Sequence, residues 1–189
     1  MQTALSILVV AASISPALAE PVKPVTPTAT LTAPMSKVAF MRGVWRGPGH
    51  GTSMGGKPYA VTQTERMGPL LGGDIVVIEG RGYNADDTTG FNAFAVVSYD
   101  SRANKYELRS YAQGNSGTFE LHLTADGYFW EIPAGPDAII RFTATVKGKS
   151  WREVGELLAK GKPPVQTFEM NLTRVGDTDW PLATPVLPR

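Results

Sequence analysis

The sequence contains no cysteine among its 189 residues. That removes disulfides, thiolate metal sites and cysteine nucleophiles together, so the fold must hold by packing and hydrogen bonding. Histidine is nearly as scarce, with His50 and His122 the two in the chain. A zinc site takes three or four ligands; two separated histidines do not make one, and no metal is expected. Charge of one sign is missing as well. Lys plus Arg total 18 against 17 Asp plus Glu, a formal net charge of +1. Nucleic-acid binding leaves a basic patch or stripe, which this chain lacks. No long stretch repeats apolar residues at the spacing of an amphipathic helix.

The segment 1–19, MQTALSILVVAASISPALA, carries no charged side chain and ends in Ala17-Leu18-Ala19. An apolar run closed by small-x-small reads as a secretory signal peptide cleaved before Glu20. It is too short to cross a bilayer comfortably, which takes about 20 apolar residues. The expected location is periplasmic or secreted, with no membrane span in the mature form. Pro21, Pro24, Pro27 and Pro34 make 20–35 an extended, flexible leader, and Pro181, Pro185 and Pro188 mark 176–189 as a similar tail. Between them, 36–175 reads as one domain with its own hydrophobic interior.

That domain is expected to be all-β. Short β-like runs recur at roughly 10-residue spacing. They cover Val44–Thr52, Tyr59–Met67, Asp74–Tyr83, Phe91–Tyr99, Lys105–Ala112, Thr118–Thr124, Tyr128–Ile132, Ala138–Val146, Trp151–Leu157 and Val165–Arg174. The last is the clearest: Phe168, Met170 and Leu172 alternate with Thr167, Glu169, Asn171 and Thr173, which sends the two sets to opposite faces of a sheet. Ser36–Met41 reads as one helical turn that Ser36 caps, and Glu156–Ala159 is a candidate for another. The connections are short and rich in turn residues; Ala125-Asp126-Gly127 suits a tight hairpin with Gly127 at positive φ. Short links imply antiparallel neighbours. An antiparallel meander of about ten strands closes to remove its edges, and about 8 strands already leave room for side chains or one small ligand. Glu65, Arg66, Glu79, Arg81, Arg109, His122, Glu131, Arg141 and Glu153 all fall on strands. Any that point inward must be paired or wet.

The stretch GPGHGTSMGGKPYAV, Gly47 to Val61, imitates two catalytic motifs. A phosphate-binding loop needs Ser or Thr after its lysine and then a helix, but Pro58 follows Lys57 and a strand follows that. A hydrolase elbow around Ser53 needs a strand-to-helix turn in an α/β sheet, which is also missing. The glycines read instead as a hairpin or bulge. Asn171-Leu172-Thr173 spells a glycosylation acceptor but lies within a strand.

Gly43-Val44-Trp45-Arg46-Gly47-Pro48-Gly49 resembles the Gly-x-Trp-x-Gly-x-Gly opening strand of lipocalin-like barrels and is similar to the start of the nitrobindin family. From Val38 to Val175 the chain more closely resembles a family of uncharacterised bacterial lipocalin-like (calycin-type) β-barrel proteins. That resemblance adds Leu71–Tyr83, Ser98–Tyr111, Phe129–Pro133 and Phe168–Val175. It implies a lipocalin-like barrel with Trp45 plugging its base. Nitrobindins hold haem through a histidine on the last strand; Thr167 falls near that position here and neither histidine fits, so no haem and no other cofactor is expected. Fatty-acid-binding proteins, distantly similar barrels, hold carboxylates with internal arginines.

Arg109 and Arg141 are therefore candidates to hold an anionic group by two-pronged hydrogen bonds. The alternative is pairing with Glu79, Glu131 or Glu153. Tyr106, Tyr111 and Trp130 are candidate pocket walls, and His122 completes the candidate ligand-binding set. The expected function is binding of a small hydrophobic or amphipathic molecule, an anionic one included, in an internal cavity of a monomer or homodimer. The alternatives are a hydrolase or isomerase using His122 or a glutamate as base, and a structural envelope protein with a filled barrel.

Overall fold

Alternation at period two decides which side chains enter the interior and which face solvent. The computed structural model describes residues 31–53 and 55–181. The expected signal peptide, most of the leader and the end of the tail lie outside the described residues. Ten strands form: β1 Gly43–Thr52, β2 Pro58–Leu70, β3 Ile75–Tyr83, β4 Thr89–Asp100, β5 Lys105–Ala112, β6 Asn115–Thr124, β7 Gly127–Pro133, β8 Ala138–Lys147, β9 Ser150–Ala159 and β10 Val165–Gly176. Each pairs antiparallel with the next in sequence, and β1 also pairs with β10, which closes the meander into a barrel.

Each expected strand is present, most of them a few residues longer than the sequence pattern suggests. The candidate helical turn at Glu156–Ala159 is the end of β9, because Ala138, Ile139, Ile140 and Arg141 of β8 pair with it. Tertiary pairing overrides local preference there. The hairpin between β6 and β7 turns through Ala125 and Asp126 as expected, but Gly127 is not among the positive-φ residues. It is needed for space: a Cβ there would lie 2.1 Å from the Ala144 carbonyl oxygen.

One end of the barrel is sealed. A 3-10 turn, Met35–Met41, buries Met35, Val38 and Met41 against Trp45 of β1, Trp151 of β9 and Leu172 of β10. The Trp45 indole donates to the Met41 carbonyl oxygen at 3.0 Å and meets Trp151 edge-on at 5.6 Å between ring centroids. The Tyr106 hydroxyl donates to the Pro34 carbonyl oxygen at 2.6 Å, and the Thr32 backbone amide to that of Gly73 at 3.1 Å. The last residues of the stretch expected as leader are thus part of the plug. Ser36 does not cap the turn; its hydroxyl donates to the Ala33 carbonyl oxygen at 2.7 Å.

The glycines of β1 have a physical reason. Gly43, Trp45, Gly47, Gly49 and Gly51 share the inward face, so this strand presents one indole and otherwise bare backbone. A Cβ on Gly47 would lie 2.0 Å from the Asn171 carbonyl oxygen of β10, a contact that backbone cannot relieve without shifting the closing ladder. Gly47→Ala is expected to lower unfolding stability by on the order of 2 kcal/mol, measured by urea denaturation. An unchanged midpoint would show that the β1–β10 seam has slack.

Candidate functional site

Cross-strand partners share a face of the sheet, so the register carries inwardness from Trp45 around the whole barrel. Along β4, Val97 and Ala95 are buried, Ala93 is half-buried and Phe91 is exposed. The same gradient runs from Leu108 to Ser110 and Ala112 on β5, and from Ala144 to Phe142 and Ile140 on β8. It runs from Met170 to Phe168 on β10. Solvent therefore reaches inward side chains from the end opposite the plug, and that open end is a cup.

One wall of the cup is aromatic. Phe119 of β6 lies 5.3 Å from Trp130 of β7; Trp130 stacks on Phe142 of β8 at 4.6 Å, and Phe142 reaches Phe168 of β10 at 6.4 Å, all centroid to centroid. On the facing wall Gly49 of β1 and Gly80 and Gly82 of β3 carry no side chain, and Val61, Gln63 and Glu65 of β2 lie over them. The ladder between β6 and β7 covers only His122–Phe129, Leu123–Tyr128 and Thr124–Gly127. Above it, the Phe119–Trp130 contact is what spans the two strands.

The floor is acidic. Glu65 of β2 and Glu153 of β9 point inward and are 9% and 8% exposed. The Gln63 amide donates to Glu65 Oε1 at 2.7 Å, and the Tyr128 hydroxyl donates to Glu153 Oε2 at 2.7 Å. Glu65 lies over Gly80, where a Cβ would come within 2.6 Å of its Oε1. Among the described residues, Glu65 Oε2 and Glu153 Oε1 have no hydrogen-bond partner, and neither carboxyl takes part in an ion pair. The Trp151 Nε1 nearby is fully enclosed and also without a partner. Burial raises Glu65 to about 8; the Gln63 hydrogen bond opposes the shift, and the charges of Glu153 and Glu79 add to it. Burial raises Glu153 to about 7, opposed by the Tyr128 hydrogen bond. Burial, then Glu153, pushes the Tyr128 hydroxyl well above its usual range.

The residues expected to form the site divide between the two faces. Trp130 lines the cup, and Tyr106 faces inward but anchors the plug. Arg109, Tyr111, His122 and Arg141 stand on the outer face, because their strand neighbours Leu108, Leu121 and Phe142 point in. Arg109 donates to Thr118 Oγ1 at 3.2 Å, and Arg141 pairs with Glu131 at 2.6 Å and covers the Phe129 ring. His122 stacks on the same Phe129 ring at 4.5 Å and sits 3.4 Å from Glu120. Arg141 thus has the structural partner Glu131 in place of a ligand. Tyr111, 46% exposed, lines an outer groove of about 550 Å³ with Arg81, Phe94 and Trp180. Arg66 lies over the Trp180 ring at 4.4 Å, so the start of the expected tail packs on the barrel wall. A second cleft, of about 450 Å³, sits at the rim between β7, β8 and β9.

Sequence reasoning missed Gln63, Glu65, Tyr128, Glu153, Phe119, Phe142 and Phe168 as a set. Parity was the available signal: Glu153 is two residues from Trp151 and Glu65 two from Met67, both buried. Among the described residues no group of three or more acidic or histidine side chains converges as a metal site. No helix of the described residues is long and apolar enough to cross a membrane.

Fold and site define a closed ten-strand antiparallel β-barrel with one plugged end. A solved structure of similar fold is that of Rv2717c from M. tuberculosis, with a TM-score of 0.59 and 14% identity, covering 77% of this chain and 99% of that one. Identity at that level speaks for the fold alone. No protein-family model matches the sequence, and no curated protein matches it significantly.

The two carboxyls set the pH dependence of folding. Their ordinary value of 4.5 is raised in the folded chain to about 8 and about 7. Between these limits the folded state binds more protons than the unfolded state, so stability falls as pH rises. Tyr128 is the titratable group beside Glu153. Glu79 acts on Glu65 through the sheet from the outer face, where Arg66 and Arg81 hold it below the usual carboxylate range against its own burial. Urea denaturation from about pH 5 to about pH 9 is expected to show a decline that Glu65→Gln reduces by a few kcal/mol. A wild-type profile that rises across this range would contradict the assignment.

Proposed function

We propose that the barrel is an exported binding protein for a small, partly apolar molecule, taken into the cup from the end opposite the plug. The observation that carries this reading is the passage along the strands from sealed to solvent-reached inward side chains, with partnerless carboxyl oxygens where the two regions meet. A barrel built for stability alone fills its interior to the density of organic crystals. Here an aromatic wall faces Val61, Gln63 and Glu65 laid over glycines, the composition of a small-molecule site: apolar walls with a few polar groups. The uncharged segment 1–19 supports export to the periplasm or beyond. The Gly-x-Trp-x-Gly-x-Gly opening, with Trp45 in the plug, supports membership of a lipocalin-like, calycin-type family. The near-neutral charge fits a monomer or homodimer without a nucleic-acid partner. An anionic ligand loses its motive, since Arg109 and Arg141 stand on the outer face.

One observation favours a second reading. Neighbouring carboxyls that titrate at about 8 and about 7 are suited to proton transfer near neutrality. They are the groups a hydrolase or isomerase would use in this cup, with Glu153 rather than His122 as base. Turnover of an ester, lactone or phosphoester that disappears in Glu153→Gln would establish that branch.

Native mass spectrometry of the protein purified from its own source is expected to show a retained small molecule. Ser110→Trp, which fills the cup from β5, is expected to lose it, while Arg109→Ala and Arg141→Ala keep it. Retention by Ser110→Trp, or loss in an arginine variant that still folds, would exclude the cup as the binding site.

A further inference from the structure

The polar groups that the cup offers are acidic or neutral. Above the plug, its inward face carries carboxyls, an amide, hydroxyls and rings; among the described residues no lysine or arginine shares that face. The paired arginines lie outside, Arg66 and Arg81 on Glu79, Arg141 on Glu131 and Arg152 on Glu169. Glu65 and Glu153 each accept one hydrogen bond from a neutral donor on one oxygen, and the other oxygen has no hydrogen-bond partner among the described residues. Burying an anion without a counter-charge costs several kcal/mol. The empty cup therefore holds these groups at a cost that a positively charged guest removes. Directly above them, Trp130 and Phe142 are stacked, with Phe119 and Phe168 flanking. Aromatic faces attract cations as well as apolar chains.

We infer that the cup selects organic amines: the ammonium sits against the free oxygens of Glu65 and Glu153, and the apolar body lies along Phe119, Trp130, Phe142 and Phe168. The inference rests on the cup being a binding site and adds the chemical class of its ligand. A divalent cation fits less well, because among the described residues the floor carries two carboxyls and no third ligand converges there. Seating the ammonium requires at least one carboxyl to ionise, so binding releases a proton wherever that carboxyl is protonated beforehand. The carboxyls are Glu65 and Glu153 themselves. The other titratable groups that act on them are Tyr128, which bonds Glu153, and Glu79 beyond the sheet.

Octylamine, octanol and octanoate present the same chain with three head groups. Isothermal titration of the full chain at about pH 8 is expected to give octylamine an affinity at least about tenfold tighter than either of the others. That advantage should shrink as the pH is lowered to about 6, and the heat of binding should vary with the ionisation enthalpy of the buffer as a proton is released. Glu153→Gln and Glu65→Gln should each lose most of the preference for octylamine while still binding octanol. Octanol or octanoate binding as tightly as octylamine, or a preference that survives in both variants, overturns the amine assignment and leaves the cup standing. If none of the three binds, the cup reading falls and this inference falls with it. Should the variants fail to fold by circular dichroism, the pH dependence and proton release of the wild-type chain decide the matter.

Discussion

The interior exists because β1 lies between β2 and β10. Without the closing ladder the sheet has two open edges and its inward face has no inside. β1 contributes little to the core apart from Trp45; its other inward positions are glycines, which let β10 approach until the Asn171 carbonyl oxygen occupies the space of a side chain. The strand that completes the ring is also the one whose neighbours fill the space its own side chains leave.

The plug gives the barrel a direction. Met35, Val38 and Met41 fill one end against Trp45, Trp151 and Leu172, and hydrogen bonds to Pro34 and Gly73 fasten the incoming chain. From there, inward side chains pass from large and sealed, through a narrow polar layer, to half-exposed rings. Apolar burial and inward polar groups are segregated along the axis. The sealed half carries the apolar burial, and the layer above it holds Gln63, Glu65 and Glu153. The two carboxyls form no ion pair among the described residues, whereas on the outer face the guanidinium groups of Arg66, Arg81 and Arg141 are each paired.

Much of this architecture was legible in the order of residues. Alternation in Phe168–Arg174 and Thr118–Thr124, with short turn-rich links, led to ten antiparallel strands, and the strands are where the pattern put them. The failures are local and instructive. Glu156–Ala159 has helix-forming residues but lies beside β8, whose free backbone groups claim it. Gly127 suggested a turn by its conformational freedom, yet serves by having no side chain beneath the Ala144 carbonyl. The site was less legible. Charged residues were visible on the strands, and the rule that inward charges need partners or water was in hand. What was missing was the phase of each strand relative to the barrel axis.

By itself the sequence determined the all-β class, the number of strands and the absence of thiol chemistry. These follow from composition and from periodicities that act within a few residues. Only the tertiary structure decided that Glu65 and Glu153 face inward while Arg109, His122 and Arg141 face out. A shift of one residue in register exchanges the two faces of a strand, and bulges beside Val44, Tyr83 and Thr167 change that phase locally. The phase is set by backbone pairing between distant strands, a relation that no local pattern contains.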